Sequence, residues 1–264
     1  METLDPEDPD AELAGPVAVK AQLPLGTDNV TGYLLLDDIE SGDDIGVAGR
    51  YEFLVGAYEL TVGGIYRSNR PWAVMGTATG AVGDMTVFGE IVLEGDSDKV
   101  FVVRNGSSLI TATSDSLFVS GTAGAQYSAT TADELYTVRG SAQYFFNGPG
   151  YEDPSILTDN PAAVGAFLRK GKVGVNDLAA RGQHYVAVAL SLPDIADTNL
   201  TSSAFWLGSF DGSGQVEASL GYSGVKNVTP SVSYTYAYGP EGAEYSPRGG
   251  RHALKLALAV NGSF

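Results

Sequence analysis

The sequence predicts an all-β protein, an antiparallel up-and-down transmembrane β-barrel with about 12–14 strands, and three observations lead to this fold class. Apolar and polar residues alternate through most of the chain after residue 15, which is the period of strands with two unlike faces. The alternating segments reach ten or more residues, against roughly 5–6 for an ordinary strand. Aromatic residues gather near the segment ends, as they do at the two interfaces of a membrane.

Composition narrows the class of protein further. The 264 residues carry a net charge of −17 and include no cysteine. So strong a negative charge argues against nucleic acid as a partner, and the lack of cysteine excludes a disulfide framework and a thiolate site. No apolar run approaches the roughly 18–20 residues of a membrane-spanning helix, but a barrel strand needs apolar residues only at alternate positions.

The chain divides into two parts. Residues 1–14 are rich in Asp and Glu and predict an acidic tail or linker, with a barrel domain over residues 15–264. Met1 leads straight into this acidic stretch, without the basic start and apolar stretch of a signal peptide. A protein that crosses an inner membrane needs such a leader, so we expect a mature or truncated chain.

The clearest predicted strands come in adjacent pairs. Segments 45–55 and 58–66 are separated by only two residues, and segments 72–82 and 85–93 by Gly83-Asp84. Asn105-Gly106 is a hairpin-turn signal, which predicts that segments 99–104 and 109–113 extend the neighbouring strands into one long hairpin. Further alternating segments cover residues 17–23, 30–37, 117–127, 136–146, 186–192, 203–210, 216–222, 232–238 and 254–264.

Residues 147–182 interrupt the alternation with Gly, Pro, Asp and Asn. They predict one long outer loop, with room for a short helix over Pro161–Lys170. The other connections form a short set near 55–57, 83–84, 129–133 and 226–228 and a longer, polar set at 38–44 and 239–250. Short turns at one end and longer loops at the other are typical of membrane barrels.

About thirteen strand segments can be counted, whereas bacterial single-chain barrels have an even number of strands. Three explanations remain open at this point. One strand has been missed, one has been divided wrongly, or the chain is part of a larger barrel.

The last segment ends on an aromatic residue. Leu256, Leu258, Val260 and Phe264 share its apolar face, and a barrel needs such a strand to close its ring. This ending resembles the C-terminal sorting signal of bacterial outer-membrane barrels, which implies the barrel-assembly machinery as a partner. Gly262 stands where that signal usually has an aromatic or bulky residue.

Two longer stretches carry a family resemblance. The first contains Gly64-Ile65-Tyr66-Arg67-Ser68-Asn69-Arg70-Pro71 and Phe88-Gly89-Glu90, and the second contains Arg181-Gly182-Gln183-His184-Tyr185 and Asp211-Gly212-Ser213-Gly214. Over residues 45–264 the chain resembles a family of large bacterial outer-membrane porins related to alginate-export barrels. The resemblance implies outer-membrane location, passive transport and a further N-terminal part of the barrel. It transfers no catalytic residue.

Charged residues occupy the polar positions of several predicted strands. In hydrocarbon each would cost a few kcal/mol, so in a barrel they must face the lumen. They predict either a wet pore with a mixed-charge lining or a plugged interior in which the charges pair, and the many small inward residues favour the pore. We expect Arg50, Glu52, Glu59 and Arg67 to form one cluster. The full predicted lining is Lys20, Arg50, Glu52, Glu59, Arg67, Glu90, Arg139, Glu217 and Lys255.

Catalytic and metal-binding chemistry have little support in the sequence. The two histidines, His184 and His252, each open a strand, where a solvated rim histidine is the expected role, and neither lies near a G-x-S-x-G nucleophile motif. We therefore predict no enzyme and no cofactor. Four acidic residues could bind Ca²⁺, although a solvated acidic loop is favoured: Asp37, Asp38, Asp43 and Asp44.

These observations predict an outer-membrane channel that passes small solutes by diffusion. Its expected partners are outer-membrane lipid, the barrel-assembly machinery and small-molecule solutes. The alternative is a non-transporting surface barrel, an adhesin or scaffold whose acidic loops bind cations or a partner. A soluble β-sandwich or propeller ranks third, because its strands also alternate.

Overall fold

The computed structural model describes residues 17–36, 45–68, 70–132, 135–179, 181–193, 195–246 and 250–260. Within these ranges the protein is all-β, with two short helices, α1 (Ser155–Thr158) and α2 (Pro161–Arg169), and a 3-10 turn over Asn176–Leu178. The predicted acidic tail at 1–14 lies outside the described residues. The strands are β1 (Ala18–Leu25), β2 (Asp28–Leu36), β3 (Ile45–Val55), β4 (Tyr58–Arg67), β5 (Trp72–Val82), β6 (Met85–Gly95), β7 (Ser97–Asn105), β8 (Ser108–Ser114), β9 (Phe118–Thr130), β10 (Thr137–Phe146), β11 (His184–Leu192), β12 (Leu200–Ser209), β13 (Gly214–Tyr222), β14 (Val228–Tyr238) and β15 (His252–Val260).

Thirteen of these strands form one antiparallel sheet in chain order, from β1 to β6 and then from β9 to β15. Each inner strand pairs with the preceding and the following strand of this sheet, so the predicted antiparallel meander is confirmed. β1 and β15 are the two ends of this sheet and are not paired with each other. Because the number of strands is odd and neighbours alternate in direction, β1 and β15 run the same way.

Two-residue turns connect several neighbouring strands. Val55 pairs with Tyr58 across Gly56-Ala57, and Val82 pairs with Met85 across Gly83-Asp84. Gly56 and Gly83 have φ of 63° and 61°, which glycine adopts without strain and which matches the twist of a tight hairpin. These turns fix the register, and a shift of one residue would exchange the two faces of the sheet.

The connections differ sharply in length at the two ends of the sheet. One end, which we call the turn end, has the connections 26–27, 56–57, 83–84, 131–136, 193–199 and 223–227. The other, which we call the loop end, has 37–44, 68–71, 96–117, 147–183, 210–213 and 239–251. Both ends therefore follow the predicted division, and the two shortest connections at the loop end, 68–71 and 210–213, are its exceptions.

Two details of the predicted elements need correction or confirmation. The hairpin at Asn105-Gly106 forms, but β7 and β8 make a separate two-stranded sheet and do not extend the neighbouring strands. Asp96, between β6 and β7, has a φ of 56°, and this left-handed residue turns the chain out of the main sheet. The helix predicted over Pro161–Lys170 is confirmed as α2.

The buried core lies beside the main sheet rather than on it. Val102, Leu157 and Val173 are buried together between the β7–β8 hairpin and the 147–182 insertion. Residues in the middle of the main sheet stay exposed; Val62 is 50% exposed and Ile91 is 52% exposed. Among the described residues, no helix is long and apolar enough to cross a membrane.

Candidate functional site: the polar face and the loop-end cap

The register assigns every residue of the main sheet to one of two faces. The apolar face contains Val19, Val47, Val62, Ile91 and Leu190 with their cross-strand partners. Across all thirteen strands, the only Asp, Glu, Lys or Arg on this face is Asp28, which lies at the turn end. The opposite face, which we call the polar face, is rich in Ser, Thr, Gly and Ala.

All nine side chains predicted to line a pore lie on the polar face, as their cross-strand partners show. Glu94 shares this face, since it pairs with Ala73 and Phe118, and the sequence prediction omitted it. The strands thus carry five basic residues (Lys20, Arg50, Arg67, Arg139 and Lys255) and five acidic ones (Glu52, Glu59, Glu90, Glu94 and Glu217) on one face. The formal charge of this wall is therefore balanced.

The structure brings only part of the predicted charge cluster together. Arg50 and Glu52 form an ion pair of 3.2 Å, and the side-chain amide of Asn29 donates to Glu52 at 2.7 Å. Glu59 pairs across strands with Leu54 and Thr79 near the turn end and forms no ion pair within the described residues. Glu59 and Arg67 are at opposite ends of β4, about 26 Å apart at the usual strand rise. The single four-residue cluster is therefore wrong.

The predicted sorting residues lie at the edge of the sheet. Leu256, Leu258 and Val260 share the apolar face of β15 and pair with Val232, Pro230 and Val228. Leu256 is 77% exposed, because β15 has a strand on one side only. Phe264 lies outside the described residues.

The structure offers no metal centre in the part of the chain that it describes, where no three His, Asp or Glu residues are placed to hold an ion. The four acidic residues of the Ca²⁺ hypothesis, Asp37, Asp38, Asp43 and Asp44, lie outside that part. His184 and His252 begin β11 and β15, as predicted. Each imidazole Nδ1 is hydrogen-bonded to a tyrosine hydroxyl, that of Tyr144 or Tyr234.

Three segments at the loop end pack into one unit, which we call the loop-end cap: residues 97–114, the described part of 147–183, and 239–246. Its hydrophobic core is Val102, Tyr151, Leu157, Val164 and Val173. The Tyr151 hydroxyl accepts a hydrogen bond from the backbone N–H of Val102 at 2.8 Å. This contact ties the β7–β8 hairpin to the insertion, so the cap has a packed interior of its own.

The cap rests on the polar face at the loop end. Ser120 of β9 accepts a hydrogen bond from the backbone N–H of Gly148 at 3.0 Å, and Phe101 of the cap stacks on Phe118 of β9 with ring centroids 5.8 Å apart. Tyr185 and Ala187 of β11, both on the polar face, are buried. The 147–182 insertion, predicted as an outer loop, therefore covers part of this face.

Lys99 joins the β7–β8 hairpin to the 147–182 insertion inside the loop-end cap. Its ammonium group donates to the carbonyl oxygen of Pro149 at 2.8 Å and lies over the rings of Phe101 and Tyr151. Burial lowers the pKa of Lys99, and the nearby Asp177 carboxylate opposes that effect. The lysine acts as a packed cross-link between hairpin and insertion.

Glu244 links three of the six loop-end connections: 147–183, 210–213 and 239–251. Its carboxylate accepts hydrogen bonds from the backbone N–H of Arg181 and of Gly182 and, at 2.6 Å, from the hydroxyl of Tyr185. Its own backbone N–H donates to Asp211 at 2.8 Å. One residue thus fastens the 239–246 segment to the end of the insertion and to the 210–213 turn.

Asp211 is the second carboxylate that stabilises the 210–213 turn. Its carboxylate accepts hydrogen bonds from the backbone N–H and the hydroxyl of Ser213, and the Ser213 oxygen accepts one from the N–H of Tyr245 at 3.1 Å. Burial raises the pKa of Tyr245 to about 12, with Glu244 and Asp211 adding to the effect. The tyrosine is therefore neutral at physiological pH.

The pKa of Asp211 predicts an acid-sensitive cap. Burial by itself would raise this pKa, but hydrogen bonds from the Glu244 and Ser213 donors hold it below its usual value. A carboxyl whose pKa is lower in the folded state contributes stability above its unfolded pKa of about 4 and loses it as pH falls through the folded value. We expect limited proteolysis of the cap to accelerate below about pH 4, and this acid dependence to flatten in Asp211→Asn. An unchanged profile in the variant would exclude Asp211 as its source.

The sequence prediction missed the residues that hold the cap. Tyr185 and Asp211 lie inside Arg181-Gly182-Gln183-His184-Tyr185 and Asp211-Gly212-Ser213-Gly214, two stretches that stood out in the sequence, but Glu244 carried no signal. It lies 59 residues from Tyr185, and no local pattern predicts so distant a partner.

A scan against protein-family models found no match, and a search of curated proteins also found none.

Proposed function

We propose that this chain forms the wall of a transmembrane β-barrel in a bacterial outer membrane and passes small solutes along its polar face. The observation that carries the proposal is the apolar face: thirteen adjacent strands with one charged residue, Asp28, at one end. No second sheet of comparable size occurs among the described residues to bury that face. Exposed apolar patches on soluble monomers rarely exceed a few hundred Å², and lipid is the medium that tolerates a surface of this extent.

Strand length suits a membrane. β5 and β6 each contain 11 residues, which corresponds to about 36 Å along the strand. A tilt of about 45° reduces this to a height of about 25 Å, the height of the apolar band on an outer-membrane barrel.

Aromatic residues mark both borders of the apolar face. Near the loop end are Trp72, Tyr144 and Trp206, whose indole N–H donates to Tyr238 at 2.8 Å. Near the turn end are Tyr58 and Tyr222. Amphipathic rings are favoured at the headgroup level, where one side is apolar and the other is wet. These two groups of aromatic residues support the proposal that the two membrane interfaces lie at the loop end and the turn end of the strands.

The polar face suits a water-filled passage. Its ten charged residues are balanced in sign and spread along the strands, and small residues such as Gly63, Ser141 and Ala189 leave space between them. The loop-end cap would narrow the entrance beside β9 to β12, while the rest of the face stays uncovered. A mixed-charge wall of this kind admits polar solutes without strong selection by sign.

We propose further that β1 and β15 are joined by additional strands in a larger ring. Because these two edge strands run the same way, direct pairing between them would be parallel. An odd number of extra strands would allow antiparallel pairing on both sides, and open edges in hydrocarbon are costly. This arrangement agrees with the resemblance to large porins related to alginate-export barrels.

Planar-bilayer recording of the full-length protein tests the transport proposal. We expect stable conducting steps with a modest cation preference at low salt, because the chain's surplus of acidic residues lies mainly in the N-terminal stretch and the loops. This preference should fade at high salt, since screening is effective over roughly 10 Å at 0.1 M. Replacing Asp37, Asp38, Asp43 and Asp44 with Asn should weaken it without closing the pore.

A folded, membrane-inserted protein that shows no conductance would contradict transport. That result would favour the second candidate, a surface barrel that acts as an adhesin or scaffold. The packed loop-end cap is the observation that favours this candidate, since it offers an ordered surface for a partner. A strong anion preference would keep the channel but place the acidic loops away from its mouth.

A further inference from the structure

Both histidines of the chain occur in the same arrangement on the apolar face. His184 is the first residue of β11 and lies opposite Phe146 of β10; His252 is the first residue of β15 and lies opposite Tyr236 of β14. The ring centroids of these facing pairs are 5.2 Å and 5.1 Å apart. The two sites are four strands apart in the sheet, and both are at the loop end.

A tyrosine completes each site. Two residues before the facing aromatic stand Tyr144 and Tyr234, and their hydroxyls lie 2.6 Å and 2.5 Å from the Nδ1 atoms of His184 and His252. When the imidazole is neutral and the tyrosine donates, Nδ1 is the acceptor and the ring proton is on Nε2. In that tautomer the tyrosine orients each ring, and one N–H donor is left at Nε2.

These donors lack an acceptor in the part of the protein that is described. No hydrogen bond to Nε2 of either histidine is formed there. The surrounding apolar face offers rings and aliphatic groups. The ring of Phe210 lies 5.2 Å from that of His184, centroid to centroid, and Leu254, two residues after His252, is the next residue of β15 on the apolar face. An N–H group at the border of an apolar surface requires an acceptor from outside the protein.

We propose that each His–Tyr pair is a binding position for the phosphate of a membrane lipid headgroup. This inference rests on the proposed function, because it places the loop-end border of the bilayer at His184 and His252. Phosphate oxygens occupy that level of a membrane, and a charged acceptor gives a shorter and stronger hydrogen bond than a neutral one. The flanking aromatic rings would pack against the glycerol and upper chain region of the same lipid.

Isotope labelling provides a selective test, since the chain contains two histidines. The full chain would be labelled with ¹⁵N-histidine and reconstituted in phosphatidylethanolamine–phosphatidylglycerol vesicles in a phosphate-free buffer, so that lipid is the only source of ³¹P. Solid-state ¹⁵N–³¹P dipolar recoupling should then dephase both Nε2 signals, with an N–P separation of about 3.5–4.5 Å expected for a hydrogen-bonded phosphate. His184→Phe should remove one of the two dephased signals, and Tyr58→Phe at the turn end should remove neither.

A second measurement on the same sample separates failure of this inference from failure of the proposed function. Magnetisation transfer from lipid acyl chains to the methyl groups of the apolar face reports whether that face contacts lipid. Transfer without ¹⁵N–³¹P dephasing would overturn the phosphate site and leave the membrane proposal intact. Loss of both signals would overturn the membrane proposal as well.

Discussion

Val62→Arg is expected to prevent assembly of the protein in membranes or to destabilise it by about 2–4 kcal/mol, the cost of an arginine near the bilayer midplane on a lipid-facing surface. Val62 lies at the middle of β4, between Tyr51 of β3 and Gly76 of β5 on the apolar face. Neither of these cross-strand partners carries a charge that could pair with an arginine. Urea titration of the protein folded into lipid vesicles measures the change in the free energy of unfolding.

Thr61→Arg provides a matched control one residue away. Thr61 lies on the polar face between Glu52 and Thr77, where a new guanidinium group would meet a carboxylate and water. We expect a change below about 1 kcal/mol, in line with exposed charge pairs. Equal tolerance of both variants would mean that Val62 does not face lipid, and greater damage from Thr61→Arg would reverse the two faces.

Glu244→Ala is expected to release the loop-end cap while the main sheet stays folded. The change removes the carboxylate that accepts from the Arg181 amide and from the Tyr185 hydroxyl, while the Gly182 amide keeps its hydrogen bond to the Tyr185 oxygen. A buried donor left without a partner costs about 1–3 kcal/mol, so local opening of the cap should become about 5- to 150-fold more frequent. Cleavage by a protease within residues 147–182 measures that opening, and single-channel conductance should rise if the cap narrows the entrance.

Glu241→Ala is the control for this change, because Glu241 is exposed and lies in the same segment three residues earlier. It should leave both the cleavage rate and the conductance as they are. If Glu244→Ala also left them unchanged, the carboxylate would not hold the cap. If it unfolded the main sheet, the cap would be part of one cooperative unit with the strands.

The features that the sequence predicted are those set by neighbouring residues. Alternation along a strand shows which side chains share a face. Arg50 can therefore be placed on one face of β3, and Val47 and Tyr51 on the other, without knowledge of distant contacts. Gly56 and Gly83 revealed their turns by composition. The division into a turn end and a loop end followed, because antiparallel neighbours alternate in direction.

The features that the sequence did not predict depend on pairs far apart in the chain. Val102 and Tyr151 are 49 residues apart. The sequence predicted a strand segment around Val102 and a loop around Tyr151. Their contact holds the β7–β8 hairpin, which is separate from the main sheet, against the insertion. The charge cluster failed for a related reason: sharing a face does not bring two residues together when the register places Glu59 and Arg67 at opposite ends of β4.

Site-directed spin labelling along β4 tests the central claim, that one face of the sheet contacts lipid and the other contacts water. The chain contains no cysteine, so single cysteines at residues 58–67 can be labelled one at a time in the reconstituted protein. We predict that accessibility to oxygen, which concentrates in lipid, will peak at 58, 60, 62, 64 and 66. Accessibility to a water-soluble nickel complex should peak at 59, 61, 63, 65 and 67. High accessibility to the nickel complex at every position, or no alternation at all, would contradict the claim.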